Sequence, residues 1–174
     1  MGKRPAYTYR KHKRPWTRTA SRRTDKAYVK GVRDPIIRSF DIGKMDREEA
    51  EVRFDLVMDN DVQIRDEALE SARINANKPL EAGIGLENYY LKIRTYPHQC
   101  LRKHSLASGA GADRVSEGMR KSFGRPSGRA VRANKNQKII SVWVKEKHSD
   151  NARKALKRSG SKLPGSTSVK MEKL

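Results

Sequence analysis

Apolar and polar side chains alternate in several short stretches of this chain and recur every three or four residues in two longer ones. A strand sends successive side chains to opposite faces, whereas a helix brings positions three and four apart together. On that rule 36–42 (IIRSFDI) is a strand, with Ile36, Arg38, Phe40 and Ile42 on one face. It follows Asp34-Pro35, a step that disfavours helix, and stops at Gly43. After an acidic loop or short turn at 44–51, a second strand is expected at 52–58, with Val52, Phe54 and Leu56 on one side. Asn60, with Gln63 three residues on, predicts the capped start of a helix. Its apolar face is Ile64, Ala68, Leu69, Ala72 and Ala76. Asp61, Asp66 and Glu67 suit the positive end of that helix, and Pro79 should end or kink it before Gly83 and Gly85 turn the chain.

The pattern resumes at 89–96, a strand broken by Pro97, and at 98–103, a short strand leading into a loop. Val115, Met119 and Phe123 repeat at helical spacing and predict a short helix over 115–123. Gly124, Pro126 and Gly128 then turn the chain into a basic strand at 129–133, a turn at 134–137 and a strong strand at 138–144 (KIISVWV). Ser149 or Asp150 caps a second helix with Ala152, Ala155 and Leu156 on its apolar face. Lys154, Lys157 and Arg158 crowd its last turns and Gly160 ends it. A final edge strand is expected at 164–171. The order of elements describes a single α+β domain over 34–172, with a mixed or antiparallel sheet and two helices.

Charge changes this picture most. The 174 residues carry 40 Lys/Arg against 20 Asp/Glu, a net charge of +20, with a pI near 10.4. Such an excess repels itself, so a polyanionic partner is expected. The charge is also uneven. Residues 1–33 hold twelve Lys/Arg and one acid, interleaved with Tyr7, Tyr9, Trp16 and Tyr28. With Pro5 and Pro15 and no regular period, this is an extended basic arm suited to nucleic acid: cations for phosphates, rings for bases. Arg4, Tyr7, Arg10, Lys11, Lys13, Arg14, Trp16, Arg18, Arg22 and Arg23 are its candidate contacts. Residues 46–70 hold ten acids and three Lys/Arg, a window expected to face away from the polyanion or to meet a neighbouring protein.

The stretch 105–132 concentrates the candidate chemistry. Its opening, SLASGAGA, has too little apolar surface to hold one shape, so 102–113 should be a mobile loop. Arg102, Lys103, Arg114, Arg120, Lys121, Arg125, Arg129 and Arg132 form a cationic collar around it, against Asp113 and Glu117. His104, Ser105, Ser108, Gly109, Gly111 and Asp113 mark the loop itself. GAGADR and GRPSGR lack the Lys-Ser/Thr ending of a P-loop. His98, Cys100 and His104 fall short of the four ligands of a structural zinc site, so no metal or other cofactor is expected. A Cys/His nucleophilic pair would have to lie in the same place. The single Cys100 excludes an internal disulfide and fits a reducing compartment. No apolar run is long enough to span a membrane, and the basic N-terminus lacks the apolar segment of a signal peptide.

Five motifs carry a resemblance: Asn75-Ala76-Asn77-Lys78, Tyr96-Pro97-His98-Gln99-Cys100-Leu101-Arg102, Gly109-Ala110-Gly111-Ala112-Asp113-Arg114, Gly118-Met119-Arg120 and Phe123-Gly124-Arg125-Pro126-Ser127-Gly128. From about residue 5 to about 170 the chain resembles the ten-e family of large-subunit ribosomal proteins, the archaeal and eukaryotic counterparts of bacterial large-subunit protein sixteen. That resemblance implies an α/β-hammerhead-like domain bound to large-subunit rRNA near the base of the central protuberance. The loop 102–113 would point toward the peptidyl-transferase centre and its tRNA, and eukaryotic relatives join late in subunit assembly. It implies a cytoplasmic, ribosome-bound protein without a catalytic residue or cofactor. Its expected partners are rRNA, tRNA and neighbouring ribosomal proteins, the last through 46–70, and not a second copy of itself. Two other classes stand beside this one: an RNA-processing enzyme using His98, Cys100 or His104, and a general DNA-compacting protein.

Overall fold

The two most apolar runs, VRFDLVM and KIISVWV, pair antiparallel in the middle of a five-stranded sheet, with Phe54 opposite Val142 and Leu56 opposite Ile140. The structure, a computed structural model, describes residues 4–11 and 29–174. Along the chain the elements are β1 (Asp41–Ile42), β2 (Val52–Met58), β3 (Val62–Arg65), α1 (Asp66–Ile84), β4 (Tyr89–Ile93), β5 (Gln99–Lys103), β6 (Arg125–Ala133), β7 (Lys138–Val144), α2 (Ser149–Gly160) and β8 (Thr167–Lys173). The large sheet runs β1-β4-β7-β2-β8 and a small one β3-β6-β5, with every pair antiparallel.

Period-two patterning gives the large sheet two unlike faces. Val52, Phe54, Leu56, Leu91, Ile140, Val142 and Val144 turn inward. They meet Leu69, Ala72, Ala76 and Leu80 of α1 and Ala152, Ala155 and Leu156 of α2 in one core. The alanines let the two helices lie close to each other. The opposite face is a cross-strand polar ladder. On it Asp55 is only 2% exposed and is held by Lys138 Nζ at 2.6 Å, Ser141 Oγ at 2.6 Å and Arg53 Nε at 3.2 Å. Burial pushes the Asp55 carboxyl up, but those hydrogen bonds and cations outweigh it and hold its pKa below the ordinary value. Arg47 covers the Tyr90 and Trp143 rings at 4.6 and 5.3 Å. Asp41 accepts from Tyr90, a bond that with Lys92 and Arg47 lowers its pKa. Two acids of the 46–70 window, Asp55 and Asp66, are therefore buried structural groups and not surface charges.

Several expected elements differ in the structure. The helix starts at Asp66, not at Asn60, because Val62 and Ile64 pair with Ala133 and Val131 and make β3 a strand. Sheet pairing there overrides the capping pattern at Asn60. Pro79 lies inside α1 and does not end it. The buried Leu80 and Ile84 beyond it keep the last turn docked. Only Asp41–Ile42 of the expected first strand pairs, because Ile36 is drawn to α1 by its N–H, which donates to Asp66 Oδ2 at 3.2 Å. No helix forms over 115–123. Gly118 and Lys121 have φ of +62° and +51°, and Val115, Met119 and Phe123 are exposed, so no apolar face is available to dock. Strand β6 begins at Arg125, earlier than 129, with Pro126 inside it. Proline is tolerated there because β3 pairs β6 only from Ala130 onward and the β5 register shifts between Leu101 and Arg102.

Gly43 shows why one turn residue is fixed. Its φ is +99°, and a Cβ there would sit 2.1 Å from the Tyr89 carbonyl oxygen. Tyr89 is itself buried and donates to Asn77 Oδ1 at 2.7 Å. Burial, with the nearby charge of Glu81, pushes its pKa up to about 12.

Candidate nucleic-acid interface

The small sheet supplies a rigid base for the basic collar. Arg102 and Lys103 end β5, Arg125, Arg129 and Arg132 lie on β6, and Arg114, Arg120 and Lys121 stand in the connection between the two strands. Residues 102 and 103 belong to the strand, so the loop proper begins at His104. Arg129 and Arg132, three apart on one strand, point to opposite faces. Arg129 Nε donates to the Arg33 carbonyl at 2.8 Å, while Arg132 Nε reaches Gln63 Oε1 at 3.4 Å. The collar is therefore not one flat patch.

The end of the arm is strapped to the same sheet. Arg33 Nε donates to the Ser127 carbonyl at 3.1 Å, and its guanidinium meets Asp66 Oδ2 at 3.2 Å. Ser127 lies where β6 has lost its β3 partner, so the Arg33 side chain serves an edge the sheet leaves open. Asp66 is 1% exposed and also receives the Ile36 and Glu67 N–H groups. Gly128 gives Arg33 its seat, since a Cβ there would stand 3.1 Å from the guanidinium. Arg33 was not among the residues expected from the sequence. Its partner, Asp66, is too far along the chain for a local pattern to show.

A second anchor comes from residues 4–11. A short turn at Ala6–Tyr9 places Tyr9 Oη on the Arg102 carbonyl at 3.3 Å and Arg4 on the His104 carbonyl at 3.3 Å. Gln63 N–H donates to the Arg10 carbonyl at 2.7 Å, and Gln63 Nε2 to the Tyr9 carbonyl at 2.8 Å. Tyr7, Arg10 and Lys11 remain exposed. Arg4, Tyr9, Arg33 and Lys103 thus line one cleft, with Asp66 and Glu67 beside them. The acidic window is split by this arrangement, because Glu67 sits beside Arg33 and Arg65 in a cleft that Lys103 also lines. Lys13, Arg14, Trp16, Arg18, Arg22 and Arg23 lie outside the described residues.

The loop has its own internal contacts. His104 Nε2 lies 2.8 Å from the Gly118 carbonyl oxygen, and Ala107 N–H donates to Ser116 Oγ at 3.3 Å. Asp113 sits in a short turn at Ala112–Arg114, entered through Gly111 at φ +77°. Ser108, Gly109 and Gly111 form an exposed tip, and Ser105 is half-buried at its base. Gly124 closes the loop. A Cβ there would stand 2.6 Å from the Lys103 carbonyl carbon, so the two backbones pack directly. A cleft of about 560 Å³ opens at this point, rimmed by Arg114, Glu117, Arg120, Lys121 and Arg125 with Phe123 on its wall.

Catalytic readings lose their residues here. Burial pushes the Cys100 thiol up against the pull of Arg102 and Arg129, which disfavours a nucleophilic thiolate. Burial, with Arg129, lowers the His98 pKa, and that ring packs on Tyr96 at 4.7 Å. Among the described residues no three His, Cys, Asp or Glu side chains gather to hold a metal ion. No helix among them is long and apolar enough to cross a membrane.

Comparison with known proteins gives this basic fold a family. Residues 16–170 match the family described as ribosomal protein L16p/L10e. The chain is 44% identical over 173 residues to the large ribosomal subunit protein uL16 of Archaeoglobus fulgidus, covering 99% of this chain and 95% of that relative. It is 44% identical over 165 residues to the uL16 protein of Methanoculleus marisnigri, covering 94% and 92%. With that of Staphylothermus marinus it shares 43% over 141 residues, covering 81% and 80%. These relatives are named as ribosomal components and not for a reaction. With matches that run nearly end to end, the chain belongs to the L16p/L10e family of ribosomal proteins.

Proposed function

We propose that this protein is a structural constituent of the large ribosomal subunit in the cytoplasm. It sits on large-subunit rRNA near the base of the central protuberance, and its loop 104–113 reaches toward the peptidyl-transferase centre and tRNA. The arm 1–33 is an rRNA-binding segment, and the exposed acids among 46–70 meet neighbouring ribosomal proteins. The single observation that carries this reading is the β5–β6 connection. Its tip, 108–112, is built only of Ser, Gly and Ala, and cations rim its base. A thin tip with no reactive side chain enters a narrow anionic space, and the cations neutralise phosphates around it.

Co-sedimentation tests the assignment. The protein should stay with large subunits through a high-salt wash that strips it from duplex DNA, and it should leave rRNA uncut. Release from both polymers at the same salt would make it a general compacting protein. Cleavage of the RNA would make it a processing enzyme.

A further inference from the structure

Three phenylalanines occur in the chain, and two of them are placed by packing. Phe54 is buried in the core, and Phe40 stacks on Tyr96 at 5.5 Å. Phe123 is 72% exposed. A single exposed apolar side chain needs no explanation by itself. Three features set this one apart. The Arg102 guanidinium lies over the ring, 4.4 Å from its centroid, so one face is backed by a cation and the other is open. Arg102 is fixed in turn by its bond to the Gly124 carbonyl at 3.0 Å, and Gly124 is pressed against the Lys103 backbone. The ring also forms a wall of the cleft bordered by Arg114 and Arg125, neither of which meets a carboxylate among the described residues.

We infer that Phe123 is a stacking platform for one unpaired RNA base, with Arg114 and Arg125 holding the phosphates on either side. The inference rests on the rRNA-binding reading above. A base has an open π-face, and its backbone carries the negative charge that the cleft's cations, which outnumber Asp113 and Glu117, leave uncompensated, so single-stranded RNA matches both halves of the site. An apolar protein segment would satisfy the ring and leave the two guanidinium groups without partners. Because stacking is tolerant of sequence, the site selects for an unstacked base and not for a particular one.

The full chain and Phe123→Ala and Phe123→Trp variants would be titrated with octauridine and with an abasic octamer carrying the same number of phosphates. Phe123→Ala is expected to bind octauridine about tenfold more weakly, the size of one stacked base, with the salt slope unchanged. Its affinity for the abasic octamer should stay at the parent value, and Phe123→Trp should keep the preference for bases. Phe123 is exposed, so the alanine variant folds. Equal affinity of Phe123→Ala and the parent chain for octauridine would overturn the inference and leave the rRNA reading standing. A parent chain that binds neither oligomer at moderate salt would overturn both.

Discussion

Large subunits carrying a version of the protein with 105–112 replaced by a shorter glycine link are expected to assemble normally and translate slowly. The replaced segment contributes little to the fold. Residues 106–111 are exposed, and across the loop Ala107 N–H donates to Ser116 Oγ at an exposed position. The contacts that close the loop, His104 with Gly118 and Gly124 with the Lys103 backbone, lie outside the replacement. Stability should therefore change by no more than about 0.5 kcal/mol, as for other surface changes. The effect belongs to positioning. A tip that helps place tRNA acts on the reacting geometry, and a tenfold fall in rate corresponds to about 1.4 kcal/mol of lost positioning. Single-turnover peptide-bond formation with full-length tRNA should fall by about that factor. A normal rate would reduce the loop to a linker.

The larger effect on affinity is expected from the arm. Residues 2–33 carry twelve Lys/Arg and one acid. Each cation on a phosphate contributes about 0.7–0.9 to the slope of log affinity against log salt. If half of them reach phosphates, deletion of 2–33 should flatten that slope by roughly 4–5 and weaken rRNA binding by about a thousandfold at low salt. That deletion also removes Arg33 and leaves Asp66, buried at 1% exposure, without its cation. The pair is only half buried, with the Arg33 side chain 40% exposed, so its loss lowers stability by less than the breaking of a fully buried pair. A deletion of 2–28 keeps the strap on Ser127 and Asp66 and still removes ten of the cations. Both deletions should flatten the slope and, by removing the Tyr9 and Arg10 carbonyls that Gln63 uses, lower the unfolding midpoint, the longer one further because it also takes the cation from Asp66. An unchanged slope in the shorter one would reject the arm as a phosphate-binding segment.

What the sequence showed and what it hid divide along a physical line. Strands β2 and β7 and helix α2 were legible because their periodicity and their burial agree. Val52, Phe54 and Leu56 were expected on one face and do line the core, as do Ala152, Ala155 and Leu156. The start of α1 was misread because Ile64 satisfies two patterns at once. It continues the helical row through Ala68 and Ala72, and it also alternates with Gln63 and Arg65. The choice between them is made by Val131, a partner much later in the chain. The short helix over 115–123 failed for the reverse reason: its spacing was helical, but nothing lies opposite to bury its apolar residues. The same division holds at the interface. The collar was visible because its cations and small residues are neighbours in sequence. The Arg33–Asp66 clamp and the backing of Phe123 by Arg102 were not, because each joins residues from separate elements.

On this reading the β5–β6 connection enters rRNA while the turn at Arg47–Glu49 stays clear of it. Cleavage of large-subunit rRNA by hydroxyl radicals from iron chelates tethered to the bound protein tests it most directly. Cys100 is buried, so a cysteine introduced by Ser108→Cys or Glu49→Cys is the accessible thiol to carry the chelate. Ser108 lies on the exposed tip and Glu49 in the acidic turn beside the large sheet. The expected result is strong, clustered cleavage from position 108, including nucleotides of the peptidyl-transferase centre, and near-background cleavage from position 49. Equal cutting from both positions, or strong cutting from 49 with none from 108, would contradict the account.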